Sequence, residues 1–306
     1  MSNISKNCVL VNLTIRTWLA NKQDSGVAAE VAQAKGVEDV KMGRYWKSLL
    51  PKCAEVDRIN QVISQTRDFH YANSLAYMHD GPRILPTSHY EVYKNTMAEL
   101  RAQFDIAVLA LIAKYDSLKL DAKKSMGSLY NELDYPDKDY VRTRYGIETI
   151  ILPLPVTDSL LELGFDAAAA AEMKDRVEAE LSDRFRKNAH ALWEQLSKNV
   201  EGLLKTLGDP KKAIQNRTLD VSRRLGQLLP KLNVLEDHRL DTVCQRMLEI
   251  LDGVSHTTLS TDIPRRDKVA ADLRILRSAI TASMAARSSV IDDVADGAME
   301  PLRVAA

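Results

Sequence analysis

The chain is short of every feature that marks a secreted, membrane-spanning or phosphate-binding protein. Its three cysteines, Cys8, Cys53 and Cys244, are far apart and odd in number. They offer neither a disulfide framework nor a CxxC metal pattern, so reduced thiols in a cytoplasmic protein are expected. Aromatics are 6% of the 306 residues, beside 12 glycines and 10 prolines, a background that favours helices over a β-sandwich. Neither sign of charge is in excess, with 42 basic and 42 acidic residues. Bulk charge therefore does not drive the chain onto nucleic acid, which needs clustered Lys and Arg. No apolar run reaches the about 18 residues of a membrane span, and residues 1–7 lack the basic-then-apolar layout of a signal peptide. There is no phosphate loop of the GxxxxGKS/T or GxGxxG type and no GxSxG elbow. The six histidines form no HxxxH pair. No cofactor and no metal are expected.

What is present is helical periodicity. Tyr93, Met97, Leu100, Phe104, Val108, Leu111, Tyr115 and Leu118 form one stripe. Met173, Val177, Leu181, Phe185, Leu192, Leu196, Val200, Leu203 and Leu207 form another. Steps of three and four residues place each set on one helical face. Ser88 and Glu91 have the spacing of a capping box, which predicts a helix from 88 to about Leu118, followed by a short one over Asp121–Tyr130. Further helices are predicted at 26–36, 45–50, 54–75, 167–207, 213–229, 236–251 and 265–284. Val9, Val11, Leu13 and Ile15 alternate as in a strand over 9–19. Tyr140–Tyr145 and Ile147–Leu152 also read as strand. The second run is nearly all apolar, so both its faces are expected to be covered, with 9–19 as its simplest partner.

The predicted class is mainly α (α+β): long helices and a C-terminal helical bundle with a small N-terminal β-sheet. The segments expected are 1–157 (sheet plus helices), 158–208 (a long helical arm), 209–290 (a bundle) and 291–306 (a tail).

Seven of the ten tyrosines fall within 67–90 and 130–145, interleaved with arginines. Tyr gives contact area at low entropy cost and Arg adds planar hydrogen bonding, so Arg67, Tyr71, Arg83, Tyr90, Tyr135, Tyr140, Arg142 and Arg144 are candidate binding residues. The same residue types suit single-stranded nucleic acid, where bases stack on aromatic rings. Lys211, Lys212, Arg217 and Arg224 could form a basic helical face. His70, His79 and His89 surround one loop at uneven spacing.

Several strings resemble an uncharacterised family of tailed-bacteriophage proteins. They are Val11-Asn12-Leu13 through Trp18, Arg83-Ile84-Leu85-Pro86 with Tyr90 and Tyr93, Asp134-Tyr135-Pro136, and Leu152-Pro153-Leu154-Pro155. The resemblance covers about half the chain and carries no catalytic signature. It implies a phage protein acting in the host cytoplasm. The function expected is non-enzymatic: an assembly or adaptor protein that binds a protein partner and oligomerises through coiled-coil-like stripes, with the Met173–Leu207 stripe as the association surface. Two other readings stay open. One is a single-stranded DNA-binding or strand-annealing protein of replication or recombination. The other is a metal-dependent enzyme using the His70–His89 region.

Overall fold

The strand expected near the N-terminus forms as β1 (Cys8–Arg16). It belongs to a small sheet in a protein that is 72% helical. The computed structural model describes residues 7–77, 81–154, 166–209 and 214–296; of Val40 and residues 287–296 only the backbone is described. The sheet also contains β4 (Leu75–Ala76), β5 (Arg83–Pro86) and β6 (Gly146–Pro153), in the order β4-β5-β1-β6. The expected pairing of the 9–19 and 147–152 regions is therefore present. The chain divides into two compact units. Unit 1 is drawn from Met1–Leu10, Asn73–Tyr90 and Leu152–Ala306, and unit 2 from Val11–Ala72 and Glu91–Ile151. These cuts fall at other points than 157, 208 and 290.

In unit 2, α1 (Ser25–Lys35) starts where the Asp24 carboxylate accepts from the amides of Gly26 (3.1 Å) and Val27 (3.2 Å), an N-cap that satisfies two otherwise orphaned donors. It ends at Gly36, whose φ of 64° is the left-handed conformation that glycine adopts without a Cβ clash. Residues 45–50 are not the small helix expected. β3 (Trp46–Ser48) pairs antiparallel with β2 (Asn21–Gln23), Lys22 opposite Lys47. Trp46 and Ser48 point out while Lys47 is buried, a period-two pattern too short to read in sequence. α2 (Ala54–Ala72) buries Ile59, Val62, Ile63 and Thr66.

α3 (Tyr90–Met126) is one unbroken helix of 37 residues, so of the separate helix expected at Asp121–Tyr130 the part to Met126 is its continuation and Gly127–Leu129 is a 3-10 turn. Of the first stripe only Leu100 is not fully buried. The Ser88 capping box does not open the helix. A 3-10 turn over Thr87–His89 leads into it, preceded by Pro86, the extended last residue of β5. Tyr140–Tyr145 is not strand either. Asp137 accepts from the Asp139 amide (2.7 Å) and starts α4 (Lys138–Thr143), the cap outweighing the β preference of Tyr and Val.

In unit 1, β4 and β5 pair antiparallel, Leu75 opposite Ile84. The helices are α5 (Ala167–Leu207), α6 (Asn216–Leu228), α7 (His238–Leu251), α8 (His256–Thr261) and α9 (Ile263–Asp296). α5 packs on α9 and α6, and α7 on α6 and α9. A Cβ at Gly226 would lie 3.0 Å from Met247, so glycine lets α6 and α7 approach closely. The second stripe is buried inside this unit from Leu181 to Leu207; only its start, Met173, is 38% exposed. The expected association surface is thus covered by the chain's own helices. Steps of three and four residues specify a buried face but not whose helix covers it. Cys8 and Cys244 are buried here, and burial pushes both thiols up to about 12.

Candidate functional site

The tyrosines and arginines picked from sequence do not converge on one site. Arg83 and Tyr90 belong to unit 1; Arg67, Tyr71, Tyr135, Tyr140, Arg142 and Arg144 belong to unit 2. Arg83 donates to the Ser74 hydroxyl (2.8 Å) and carbonyl (2.6 Å) and braces the β4–β5 hairpin. Tyr135 is 7% exposed; its ring packs on Tyr130 at 5.1 Å and its hydroxyl meets Met126 Sδ at 3.3 Å. Arg67 and Tyr71 are exposed on α2. Tyr140 is exposed, with the Arg144 guanidinium 5.8 Å from its ring centroid, and Arg142 is exposed on the same short helix. Arg217 and Arg224 are exposed on α6. Lys211, Lys212 and His79 lie outside the described residues.

The other histidines of the loop are engaged singly. His70 is buried and its Nδ1 lies 2.6 Å from the Tyr93 hydroxyl. His89 is 2% exposed, with Nε2 at 2.8 Å from Asn73 Oδ1; burial, and secondarily Lys231, holds its pKa below the ordinary value. Among the described residues no three His, Cys, Asp or Glu side chains are grouped to hold a metal ion. None of the described helices is long and apolar enough to cross a membrane.

Sequence reasoning missed a polar network in unit 2. Lys47 is buried, and its ammonium contacts Asp134 (2.8 Å), Asp24 (3.0 Å) and the Leu129 carbonyl (2.9 Å). One side chain thereby ties β3 to the cap of α1 and to the 129–134 turn. The hydrogen bond from Lys47 holds the Asp134 and Asp24 carboxyls below the usual carboxylate range, and that to Asp134 holds Lys47 above the usual lysine range. The sequence signal was faint: one lysine in a three-residue strand.

The edge of the sheet in unit 2 exposes apolar side chains. β6 ends the strand order. Ile147 is buried, but Ile150 and Ile151 are 48% and 42% exposed, which overturns the expectation that both faces of this apolar run are covered. A mostly apolar strand is equally the pattern of a covered strand and of a sheet edge. Ile147, Thr149 and Ile151 share one face, as period two requires. They line a groove of about 210 Å³ together with Tyr93, Lys94, Met97, Ala98 and Arg101 of α3. On the opposite face Arg16 pairs with Glu148 at 2.5 Å, both side chains half exposed. The helical wall carries the charge of the groove: Lys94 and Arg101 line it, and none of its described lining residues is a carboxylate. Lys94 also reaches back to Glu91 (2.8 Å), with side-chain exposures of 48% and 68%, a pairing that solvent makes weak.

No protein-family model, curated protein or solved structure matches this chain.

Proposed function

We propose that this protein works by binding rather than by catalysis, as an adaptor or assembly protein that engages another polypeptide at the edge of β6. One observation carries the reading: two exposed isoleucines, Ile150 and Ile151, on a sheet-edge strand beside an apolar groove. An edge strand presents unpaired amides and carbonyls, and an added strand satisfies them while neighbouring pockets select its side chains. The resemblance to tailed-phage proteins supports the same role in a phage-infected host cytoplasm, with self-association as a further part of it. A benzophenone amino acid at position 150, activated by ultraviolet light in expressing cells, tests the reading. The expected result is one recurrent protein adduct that is absent when the probe sits at exposed Asp116 on α3. Equal, diffuse labelling at both positions would remove the docking edge.

A second reading has one observation in its favour. Exposed Tyr140 with Arg144 over its ring and Arg142 on the same helix is the arrangement on which a single-stranded base stacks while a guanidinium meets phosphate. Salt-dependent binding of a labelled oligonucleotide, lost in Tyr140→Ala, would support it; no shift at low salt would sink it.

A further inference from the structure

Resting on the reading of β6 as a docking edge, we infer that its partner is an extended segment of another protein in which carboxylates flank an apolar side chain. The groove supplies the argument. Lys94, Ala98 and Arg101 follow one another along one face of α3. The two cations are about 10 Å apart along the axis at about 1.5 Å per residue. Alanine between two long side chains leaves the gap over Met97 and Ala98 open, and its floor is Tyr93, Ile147 and Ile151. A space of about 210 Å³ takes one large aliphatic side chain. In a strand laid beside β6, alternate residues face the groove, and two such residues four positions apart are about 13 Å apart. Carboxylates at those two positions reach Lys94 and Arg101, and the residue midway between them enters the gap. Intervening residues lie on the Ile150 face, so they too are apolar.

A second copy of this chain fits less well. Stable dimers bury about 800 Å² per partner, and the exposed residues of β6 within unit 2 are only Glu148, Ile150 and Ile151. The cationic wall has no complement in its own copy's groove.

The test uses the full chain and two labelled octapeptides. One is Gly-Asp-Val-Leu-Val-Glu-Val-Gly; the other has lysine in place of both acids. Fluorescence anisotropy reads their binding. The acidic peptide is expected to bind about tenfold more tightly than the basic one at low salt, with Lys94→Glu/Arg101→Glu reversing the order and Ile151→Asp abolishing both. Equal binding of the two peptides, still abolished by Ile151→Asp, would overturn the acidic partner and leave the docking edge standing. Failure of both peptides alongside a specific cross-link at position 150 would likewise overturn only this inference; failure of both together with loss of the cross-link would remove the edge as well. A dimer seen by sedimentation and dissolved by Ile150→Lys would assign the edge to a second copy and overturn the inference.

Discussion

The two units bury a long amphipathic helix by different means, and the difference shows in what lies beside that helix. In unit 1, α5 is enclosed by α6 and α9, and side chains from neighbouring helices close the helix ends. Arg266 of α9 donates to the carbonyls of Thr206 (3.0 Å), Leu207 (3.1 Å) and Asp209 (2.7 Å) at the end of α5. Arg223 of α6 donates to Leu251 (2.9 Å) and Val254 after α7. Trp193 of α5 donates to Asp237 (2.9 Å), the residue that caps α7. Helix is matched to helix and the apolar stripe is consumed. In unit 2, α3 shares its surroundings with strands of three to eight residues and short turns, and an ionic tie through Lys47 holds several of them together. Among the described residues no strand lies beyond β6 in the sheet. Enclosure by long helices covers the apolar face of α5, whereas unit 2 leaves Ile150 and Ile151, on the strand proposed as a docking edge, about half exposed.

The largest effect expected is in the enclosed core. Trp193 is fully buried, and Trp193→Ala should cost about 4 kcal/mol through lost packing and the cavity left behind. Trp193→Phe should cost less, since an aromatic ring still fills most of the space, although Asp237 loses the indole donor in both variants. Urea denaturation of both variants measures this, and a loss below about 1 kcal/mol for the alanine variant would contradict the enclosure of α5. Next comes the ionic tie. Lys47→Met leaves Asp134 buried without its main partner and should cost about 3 kcal/mol. The sign of its pH dependence follows from the directions of the shifts. Asp134 and Asp24 are held below the usual range, so their contribution is present above the ordinary aspartate pKa of about 4 and fades as pH falls through the depressed values. Lys47 is held above its usual range, so its part is present below about pH 10.4 and is lost only above it. Denaturation from pH 7 down to pH 3 should therefore weaken wild type more than Lys47→Met; parallel losses would discard the tie. Arg266→Met comes third, at about 2 kcal/mol, because three carbonyls, one buried and two partly buried, lose a charged donor. Hydrogen exchange should rise first in the last turn of α5.

Most helices were legible because their apolar periods run for many turns. The stripes Tyr93–Leu118 and Leu181–Leu207 are buried almost residue for residue. What failed was short. Trp46-Lys47-Ser48 and Lys138–Thr143 span three and six residues, less than two helical periods, so a local cap or cross-strand partner decides them. The burial partner of a stripe was illegible for a related reason: periodicity encodes a face, while the neighbour comes from distant sequence. The candidate site was half visible. Ile147–Leu152 stood out as apolar, but edge and interior strands share that composition, and only strand order separates them. The Tyr/Arg clusters were visible and scattered, since adjacency in sequence places Tyr135 in a packed turn and Tyr140 on a helix five residues later.

The smallest stability effect makes the sharpest comparison. Ile150 and Ile151 are about half exposed, whereas Ile147 on the same strand is 3% exposed. Threonine keeps the β-branched shape that favours strand and removes apolar surface. Ile147→Thr puts a hydroxyl into the buried floor of the groove and should cost about 2 kcal/mol. Ile150→Thr/Ile151→Thr should change stability by less than about 0.5 kcal/mol, because neither side chain is enclosed. The double variant should also be more soluble, since a polar edge strand resists edge-to-edge pairing. A benzophenone amino acid placed at neighbouring Thr149, since position 150 is itself changed, should then lose the partner adduct while folding is untouched. A double variant that lost more than about 1 kcal/mol would mean that these side chains are already covered in the folded chain, and unit 2 would then resemble unit 1 in consuming its own apolar surface.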